Sequence, residues 1–223
     1  MKIRIIQKNI NNRDLRSFLE KARDSDADWV AFGELAASGC LYNGGESIAH
    51  EEMLVQLEGY PFSVSVGYPE RGRDSIRNTY LYYDGESVER YYKVNLFPQM
   101  NEPAVYQPGD TPGIFATQWG TIGVAICYDI RFPNLFTQLK KNGAEMFLIP
   151  AAFPLARIEA WKSMLVERAR DHGVTVLGIN AVGDDGTNEF GGSSTLVSPS
   201  GEVLWQADEA SELEKDLNIQ LKG

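Results

Sequence analysis

The chain has 223 residues, of which 43% are hydrophobic and 23% charged, and its formal net charge is -10. This length is enough for one sizeable core, so we expect a single domain over residues 1–223. The acidity argues against nucleic acid and anionic lipid as partners, because both require a basic patch. The N-terminal sequence MKIRIIQKNI is no apolar leader, and no run approaches the roughly 20 apolar residues that cross a bilayer. We therefore expect a cytoplasmic protein with no membrane partner.

The cysteine and histidine positions bear on redox state and on metal binding. Cys40 and Cys127 are far apart in the sequence, and a reducing compartment favours two thiols over a disulfide. The two histidines are scattered in the same way, so no spacing typical of zinc ligands occurs. We predict no metal site.

Apolar periodicity predicts the first elements. Ile3 and Ile5 alternate with charged residues, so Lys2 to Gln7 is a predicted strand. A helical stripe follows at Leu15, Phe18, Leu19 and Ala22, with an N-cap predicted at Asn11 or Asn12. The next predicted elements are a buried strand from Trp29 to Phe32, a helix from Ile48 to Leu57, and a strand through Phe62, Val64, Val66 and Tyr68.

Two β-rich runs joined by Asp84-Gly85 give the strongest local signal. The runs Asn78 to Tyr83 and Ser87 to Tyr92 predict a hairpin with a tight primed turn. Lys93 follows the second strand directly, and an irregular loop is predicted from Phe97 to about Pro112.

The second half continues the alternation of strands and helices. The predicted elements are a strand from Thr121 to Ile126 that stops at Cys127, a helix from Pro133 to Lys141, a strand from Met146 to Pro150, a helix with Ile158, Trp161, Leu165 and Ala169 on one face, strands from Val174 to Asn180, Thr195 to Val197 and Val203 to Trp205, and a tail from Leu213 to Leu221 that closes the sheet. Many strands with a few helices favour an α/β fold of two mixed sheets packed together, with helices outside.

Three reactive side chains follow predicted strand ends by one or two positions: Glu34, Lys93 and Cys127. Functional groups of α/β folds gather at such strand ends. A thiol attacks a carbonyl as thiolate, which a nearby ammonium favours. A carboxylate can carry the thiol proton to a departing nitrogen, and a lysine can hold the negative oxygen that forms. Singly, each residue is more commonly a buried hydrophobe or a solvated charge, so the prediction depends on all three together.

The blocks around these residues are Phe32 to Leu35 (FGEL), Tyr92 to Phe97 (YKVNLF) and Cys127 to Pro133 (CYDIRFP). They resemble, in order, the three signature blocks of the nitrilase superfamily, the carbon–nitrogen hydrolases. Further matches are Pro108-Gly109-Asp110, Trp161, Arg168-Ala169, Asn180, Gly191-Gly192-Ser193 and Pro199-Ser200-Gly201. The resemblance covers the chain from Ile3 to about Leu204.

The resemblance implies an αββα sandwich and a role for each site residue. Glu34 would be the general base, Cys127 the nucleophile, and Lys93 with the backbone N–H of Tyr128 the oxyanion donors. A second glutamate is expected near the lysine, and Glu102 is the candidate. The family uses no metal or organic cofactor, and its members commonly form homodimers or larger homo-oligomers. The pairing helices would be Pro133 to Lys141 and Arg157 to Asp171.

Tyr128-Asp129 after the nucleophile is similar to the amidase branches, whereas nitrilases typically have Trp-Glu there. The resemblance therefore implies an ω-amidase-like enzyme that hydrolyses a small non-peptide amide through a thioester on Cys127 and releases ammonia. The substrate of an ω-amidase carries a carboxylate, for which the candidate ligands are Arg157, Arg71, Arg73 and Arg77. Asp129 and Arg131 are expected to form a structural pair. The chain departs from the family pattern at Asn95, where His is usual, and at Gly33, where Pro is common.

Other functions stay open at this point. An N-carbamoyl or deaminated-peptide amidase of the same family would share all the signature residues. A catalytically inactive paralogue kept as a binding subunit is a second alternative, against which the complete residue set counts. A Cys–His hydrolase is a third, but only His50 and His172 could serve it. Cys40, on a glycine-containing loop, is expected to be structural.

Overall fold

The computed structural model describes residues 1–41 and 45–221. Its helices are α1 (Arg16–Ala22), α2 (His50–Leu57), α3 (Glu102–Val105), α4 (Pro133–Lys141) and α5 (Ile158–His172). The strands of the first half are β1 (Lys2–Gln7), β2 (Trp29–Phe32), β3 (Ser63–Arg71), β4 (Ile76–Tyr83) and β5 (Val88–Tyr92). Those of the second half are β6 (Gly113–Thr117), β7 (Gly120–Val124), β8 (Met146–Ala151), β9 (Thr175–Asn180), β10 (Val182–Asp184), β11 (Glu189–Gly191), β12 (Thr195–Val197), β13 (Val203–Gln206) and β14 (Leu213–Asn218).

Two six-stranded mixed sheets form the centre of the molecule. The first has the order β14-β1-β2-β3-β4-β5, and the second has the order β13-β12-β9-β8-β7-β6. Three neighbouring strands are parallel in each sheet, β1 to β3 in the first and β7 to β9 in the second, and the flanking strands are antiparallel. Strands β10 and β11 form a separate two-stranded ribbon.

Alternation along the strands explains why the sheets stack with helices outside. In β2, Trp29 and Ala31 join the core between the sheets, whereas Val30 and Phe32 pack with α1 and α2 on the other side. Successive side chains of a strand point to opposite faces, so a strand that is apolar throughout is buried on both. Helices α4 and α5 cover the second sheet through Phe136 and Leu165. The predicted αββα sandwich is confirmed.

Several element boundaries differ from the predictions. Helix α1 begins at Arg16 with Leu15 as its N-cap, and the Ser17 N–H donates to Asp14 Oδ1 at 3.0 Å, so the predicted caps at Asn11 and Asn12 are wrong. The predicted hairpin is present, but Gly85 and Glu86 form its turn, because Asp84 and Ser87 are already joined by a backbone hydrogen bond.

The remaining differences lie near the site and in short strands. Strand β7 ends at Val124, so Cys127 lies three positions beyond it rather than one. Strands β6, β10 and β11 were not predicted; β10 and β11 have only three residues each, too few for a periodic pattern. The predicted closing strand is β14, which pairs with β1.

Two further observations concern the sequence expectations about membranes and cysteines. Among the described helices, none is long and apolar enough to cross a membrane. Cys40 and Cys127 are both buried and are not joined by a disulfide.

Candidate active site

Glu34 lies just beyond β2 and is held against β3 at a glycine. The Gly67 N–H donates to the Gly33 carbonyl at 3.2 Å, and the Ala37 N–H donates to the Gly67 carbonyl at 3.1 Å. A side chain at position 67 would start 2.6–2.7 Å from backbone atoms of residues 33–35, so only glycine permits this approach. The close packing fixes the backbone that carries Glu34.

Lys93 follows β5 and joins two buried carboxylates. Its Nζ lies 2.8 Å from Glu34 Oε1 and 2.8 Å from Glu102 Oε1. Burial acts to lower the pKa of Lys93, but Glu102 and Glu34 outweigh it and raise that pKa well above its usual value. The lysine is therefore held as an ammonium ion by two anions.

Glu102 was predicted in an irregular loop, but it is the first residue of α3 and is buried. Its Oε1 accepts from Lys93, and its Oε2 accepts from the Phe97 N–H at 2.6 Å. Burial raises the pKa of Glu102, while the Lys93 ammonium acts to lower it. Both carboxylate oxygens are thus used inside the protein, and neither has the freedom of a surface glutamate.

Glu34 has two further hydrogen-bond donors besides Lys93. Asn78 Nδ2 donates to Oε1 at 2.8 Å, and the Ala152 N–H donates to Oε2 at 2.8 Å. The neighbouring Phe153 N–H donates to Asn180 Oδ1 at 2.6 Å, so Asn180 secures the segment that carries Ala152. Asn78 lies on β4 in the first sheet, and Ala152 directly follows β8 in the second sheet.

Cys127 occupies a left-handed backbone conformation, with φ of 47°. Such a conformation costs about 1–3 kcal/mol for a non-glycine residue and is found at functional sites. A 3₁₀ turn, Cys127–Arg131, begins at the same residue, and Arg168 of α5 donates to the Ile130 carbonyl within it at 3.0 Å. Cys127 Sγ lies 3.8 Å from the Ala152 carbonyl oxygen.

The surroundings of the Cys127 thiol favour its neutral form. Burial and the Glu34 carboxylate raise the pKa of Cys127 well above its usual value, and the opposing effect of Lys93 is smaller. Lys93 acts in favour of the thiolate, as the sequence led us to expect, but burial and the nearby carboxylate, which were not visible in the sequence, outweigh it. Attack by this sulfur requires that a base remove its proton during the reaction.

The N–H of Tyr128 is the predicted second oxyanion donor. The first hydrogen bond within the turn runs from the Asp129 N–H to the Ile126 carbonyl. The Tyr128 N–H precedes that bond, at the end of the turn where amides have no partner within the helix. The Tyr128 ring packs against Phe97, with 4.8 Å between ring centres.

The predicted pair of Asp129 and Arg131 is not formed. Asp129 accepts hydrogen bonds from Tyr91, Asn95 and the Ile126 N–H instead. Arg131 lies with its guanidinium 5.7 Å from the Phe153 ring centre. The two side chains therefore point to different surroundings.

A cavity opens onto Cys127. It is lined by Phe97, Cys127, Tyr128, Arg131, Ala152, Phe153, Pro154 and Arg157. The Arg157 guanidinium lies 5.4 Å from the Phe97 ring centre. Within the described ranges, neither Arg131 nor Arg157 forms an ion pair with a carboxylate.

Other candidates from the sequence lie outside this lining. Arg71 pairs with Glu52, and Arg77 stacks on Tyr92. His50 contacts the Tyr68 hydroxyl, and His172 packs against Phe136 and Phe147 at the end of α5. For residues 1–41 and 45–221, no group of three or more His, Cys, Asp or Glu is arranged to hold a metal ion.

Two contributors to the site escaped the sequence analysis. Asn78 was visible only as part of a strand that also contains Arg77 and Thr79, so its polar side chain did not stand out. Ala152 acts through its backbone N–H and carbonyl, which no side-chain pattern reveals. Both contacts meet Glu34 or Cys127 from distant parts of the chain.

Comparison with known proteins identifies the family. The family described as carbon-nitrogen hydrolase matches residues 4–220. The "Hydrolase in agr operon" of Staphylococcus aureus is 27% identical over 98% of this chain and 92% of its own length. The 2-oxoglutaramate amidase of Bacillus subtilis (strain 168) is 35% identical over 60% of this chain and 52% of its own length.

Solved structures show the same fold at lower identity. An amidase of Nesterenkonia sp. AN1 superimposes with a TM-score of 0.85 at 20% identity, over 98% of this chain and 93% of the other. The fold, the ordered signature blocks and the family match over residues 4–220 lead to one conclusion. The chain belongs to the carbon–nitrogen hydrolase family, the nitrilase superfamily.

Proposed function

We propose that this carbon–nitrogen hydrolase is an amidase that hydrolyses a small linear, non-peptide amide through a thioester on Cys127. Glu34 acts as the general base, and Lys93 with the Tyr128 N–H binds the oxyanion. Glu102 holds the Lys93 ammonium in place. The reaction uses no metal and no organic cofactor.

The observation that carries this proposal is the position of Lys93 between two buried carboxylates beside a buried thiol. A surface lysine gains little from one carboxylate, whereas here both ion pairs are shielded from water. Preorganised charges in such a site act strongly on charge that develops during a reaction. The neutral thiol next to Glu34 supplies the proton that an amide's leaving nitrogen needs.

The proposed steps balance without a further reactant except water. Glu34 takes the thiol proton as sulfur bonds to the amide carbon, and the tetrahedral oxygen becomes negative. That intermediate expels nitrogen, which receives the proton and leaves as ammonia, so a thioester remains on Cys127. Water then adds to the thioester with Glu34 as base, and the carboxylic acid and the thiol are released.

The cavity beside Cys127 offers cationic groups that can bind a carboxylate on the substrate. Arg131 and Arg157 border it on the side of Tyr128 and Phe97, with no carboxylate partner in the described part of the chain. Guanidinium groups bind carboxylates in a planar, two-pronged geometry. Relatives named 2-oxoglutaramate amidase and omega-amidase support an ω-amide of an acidic substrate.

We also propose that the chain acts as a cytoplasmic homodimer or larger homo-oligomer, paired through α4 and α5. Phe132, immediately before α4, is one of the large apolar side chains left exposed, which supports this assignment because such a residue gains from burial in an interface. Light scattering at working concentration is expected to give at least a dimer, and a clean monomer would contradict it.

The test of the function is ammonia release over a panel of ω-amides of dicarboxylic acids, neutral amides, N-carbamoyl amines, deaminated peptides and nitriles. We expect the acidic ω-amides to give the highest kcat/KM and Cys127→Ala to abolish release while it keeps the fold. Highest activity on carbamoyl amines or deaminated peptides would assign the chain to those branches of the family. No activity on any member would favour a binding paralogue.

A further inference from the structure

The Asp129 carboxylate is fully buried and accepts four hydrogen bonds. Its Oδ1 accepts from both the backbone N–H and the side-chain Nδ2 of Asn95, each at 2.8 Å. Its Oδ2 accepts from the Tyr91 hydroxyl at 2.8 Å and from the Ile126 N–H at 2.9 Å. Every oxygen lone pair of this carboxylate therefore has a donor.

These donors come from two segments that carry the proposed reactive groups. Tyr91 and Asn95 stand two residues before and two residues after Lys93, at the end of the first sheet. Ile126 immediately precedes Cys127, which follows the second sheet. One carboxylate thus joins both flanks of the lysine to the turn that carries the sulfur.

We propose that Asp129, held by Asn95 and Tyr91, is a positioning residue that sets the separation between the Lys93 ammonium and the Cys127 sulfur. The inference rests on the proposed function, because Asp129 can position a catalytic pair only if Cys127 attacks the substrate and Lys93 binds the oxyanion. The hydrogen bonds to the Asp129 carboxylate come from Tyr91, Asn95 and Ile126, so Asp129 acts through these segments.

The reaction makes this separation important. Cys127 and Lys93 belong to different sheets, so their distance depends on how the two sheets are joined at this edge. A displacement of about 1 Å in an active site can cost about a hundredfold in rate. The left-handed backbone at Cys127 is a second reason why this turn must be held in place, because a strained conformation persists only where its surroundings fix it.

The charges around Asp129 agree with a role as an anion in a fixed network. Burial raises the pKa of Asp129, while the Ile126 N–H, the Lys93 ammonium and the two side-chain donors act to lower it. Burial and the adjacent carboxylate also raise the pKa of Tyr91 well above its usual value, so its hydroxyl remains a donor. A carboxylate placed here without these donors would be an uncompensated buried charge.

Asn95 stands where the lysine block of the family usually has His. The amide of Asn95 supplies one N–H from its side chain, and its own backbone supplies the other, to the same oxygen. The side-chain amide does not titrate, so the donor is present at every pH.

The experiment compares Asn95→Asp with Asn218→Asp. Both substitutions replace an amide by a carboxylate of nearly equal size, but Asn218 is exposed at the end of β14. At position 95 the new carboxylate faces the Asp129 acceptor and loses the donated hydrogen bond. Tyr91→Phe removes one donor without adding charge, and it provides a second variant if Asn95→Asp does not fold. The measurements are kcat, KM, the rate of thioester formation by rapid quench, and a thermal melt.

We expect Asn95→Asp to slow thioester formation by about 10- to 100-fold, with KM nearly unchanged and a cooperative melt retained. Tyr91→Phe should slow the same step by less, and Asn218→Asp should match the original protein. Normal thioester formation in folded Asn95→Asp or Tyr91→Phe would overturn the proposal, as would a rate loss that only follows the loss of folded protein. Cys127→Ala is measured beside them to separate a failure of the positioning proposal from a failure of the proposed function. If Cys127→Ala retains turnover, the proposed function itself fails.

Discussion

Among residues 1–41 and 45–221, two lysines each join two glutamates, and these two clusters differ in burial. Lys93 contacts Glu34 and Glu102, and the side chains of these three residues are only 1–4% exposed. Lys162 on α5 contacts Glu159 and Glu209, whose side chains are 84% and 45% exposed. The two clusters have similar charges and contacts, so any difference in what they do must arise from their surroundings.

Burial changes what each cluster can do. Exposed ion pairs are screened by water and typically contribute under about 1 kcal/mol to stability. In the buried cluster, removal of the central cation leaves two carboxylates without compensation, which is among the most costly changes in a protein interior. The same shielding lets the Lys93 charge act on an adjacent reacting atom. The buried cluster is therefore suited to chemistry, and the exposed one stabilises the surface.

The largest difference between the clusters is expected for loss of the lysine. Lys93→Met should destabilise the protein by about 3–5 kcal/mol and lower turnover by about a thousandfold, as for removal of an oxyanion donor. Lys162→Met should change the unfolding free energy by less than about 1 kcal/mol and leave turnover unchanged. Denaturant unfolding and steady-state rates on both variants make the measurement. Equal effects in the two variants would remove the distinction between the clusters.

Loss of one glutamate gives a smaller but more specific difference. Glu102→Gln should fold and lose about a hundredfold in turnover, because Lys93 loses one of the two anions that hold its ammonium in place. Glu209→Gln is the matched control in the exposed cluster and should be fully active. The measurements are a thermal melt and a steady-state rate on the same preparations. Near-normal turnover of folded Glu102→Gln would leave Glu34, Lys93 and Cys127 as the whole site.

Substitution of arginines tests which side chain binds the carboxylate of the substrate. Arg157→Ala should raise KM for an acidic ω-amide by about tenfold, the value of one charge-assisted hydrogen bond, and leave a neutral amide unaffected. Arg73→Ala, in an exposed loop, is the control and should change neither. A KM that rises equally for both substrates would show that Arg157 does not bind the carboxylate.

The smallest effect concerns the titration of the thiol. Burial and the Glu34 charge raise the pKa of Cys127, so Glu34→Gln should lower that pKa and give more thiolate at a fixed alkaline pH. Ultraviolet thiolate absorbance, titrated with Cys127→Ala as the blank, measures the change. An unchanged or higher midpoint in Glu34→Gln would contradict the assigned cause.

The strands and helices with a clear period were predictable from the sequence. The sequence also predicted that Glu34, Lys93 and Cys127, one from each signature block, would lie together. Alternation identified β1 and β3, and the spacing of apolar residues identified α5. Strands β10 and β11 were missed because three residues carry no period. Glu102 could be named only through the resemblance, since its loop has no regular pattern.

The properties that depend on distant neighbours were not predictable in this way. The Asp129–Arg131 pair was expected from sequence proximity, but the partners of Asp129 include Tyr91 and Asn95, which lie more than thirty positions earlier. The sequence identified Lys93 as a group that favours the Cys127 thiolate, but it did not reveal the burial and the Glu34 charge that together outweigh Lys93. Local sequence predicts the strand or helix in which a residue lies. The partners of Asp129 and the pKa of Cys127 depend instead on contacts between the two sheets.

The central claim is that Cys127 carries the acyl group during hydrolysis, and mass spectrometry tests it most directly. The protein is mixed with a slowly turned-over ω-amide, quenched with acid within one turnover and digested. We predict that the peptide containing Cys127 gains the mass of the acyl group, that the peptide containing Cys40 does not, and that Cys127→Ala shows no adduct. Ammonia release in the original protein without an acyl adduct on Cys127 at any quench time would contradict the account.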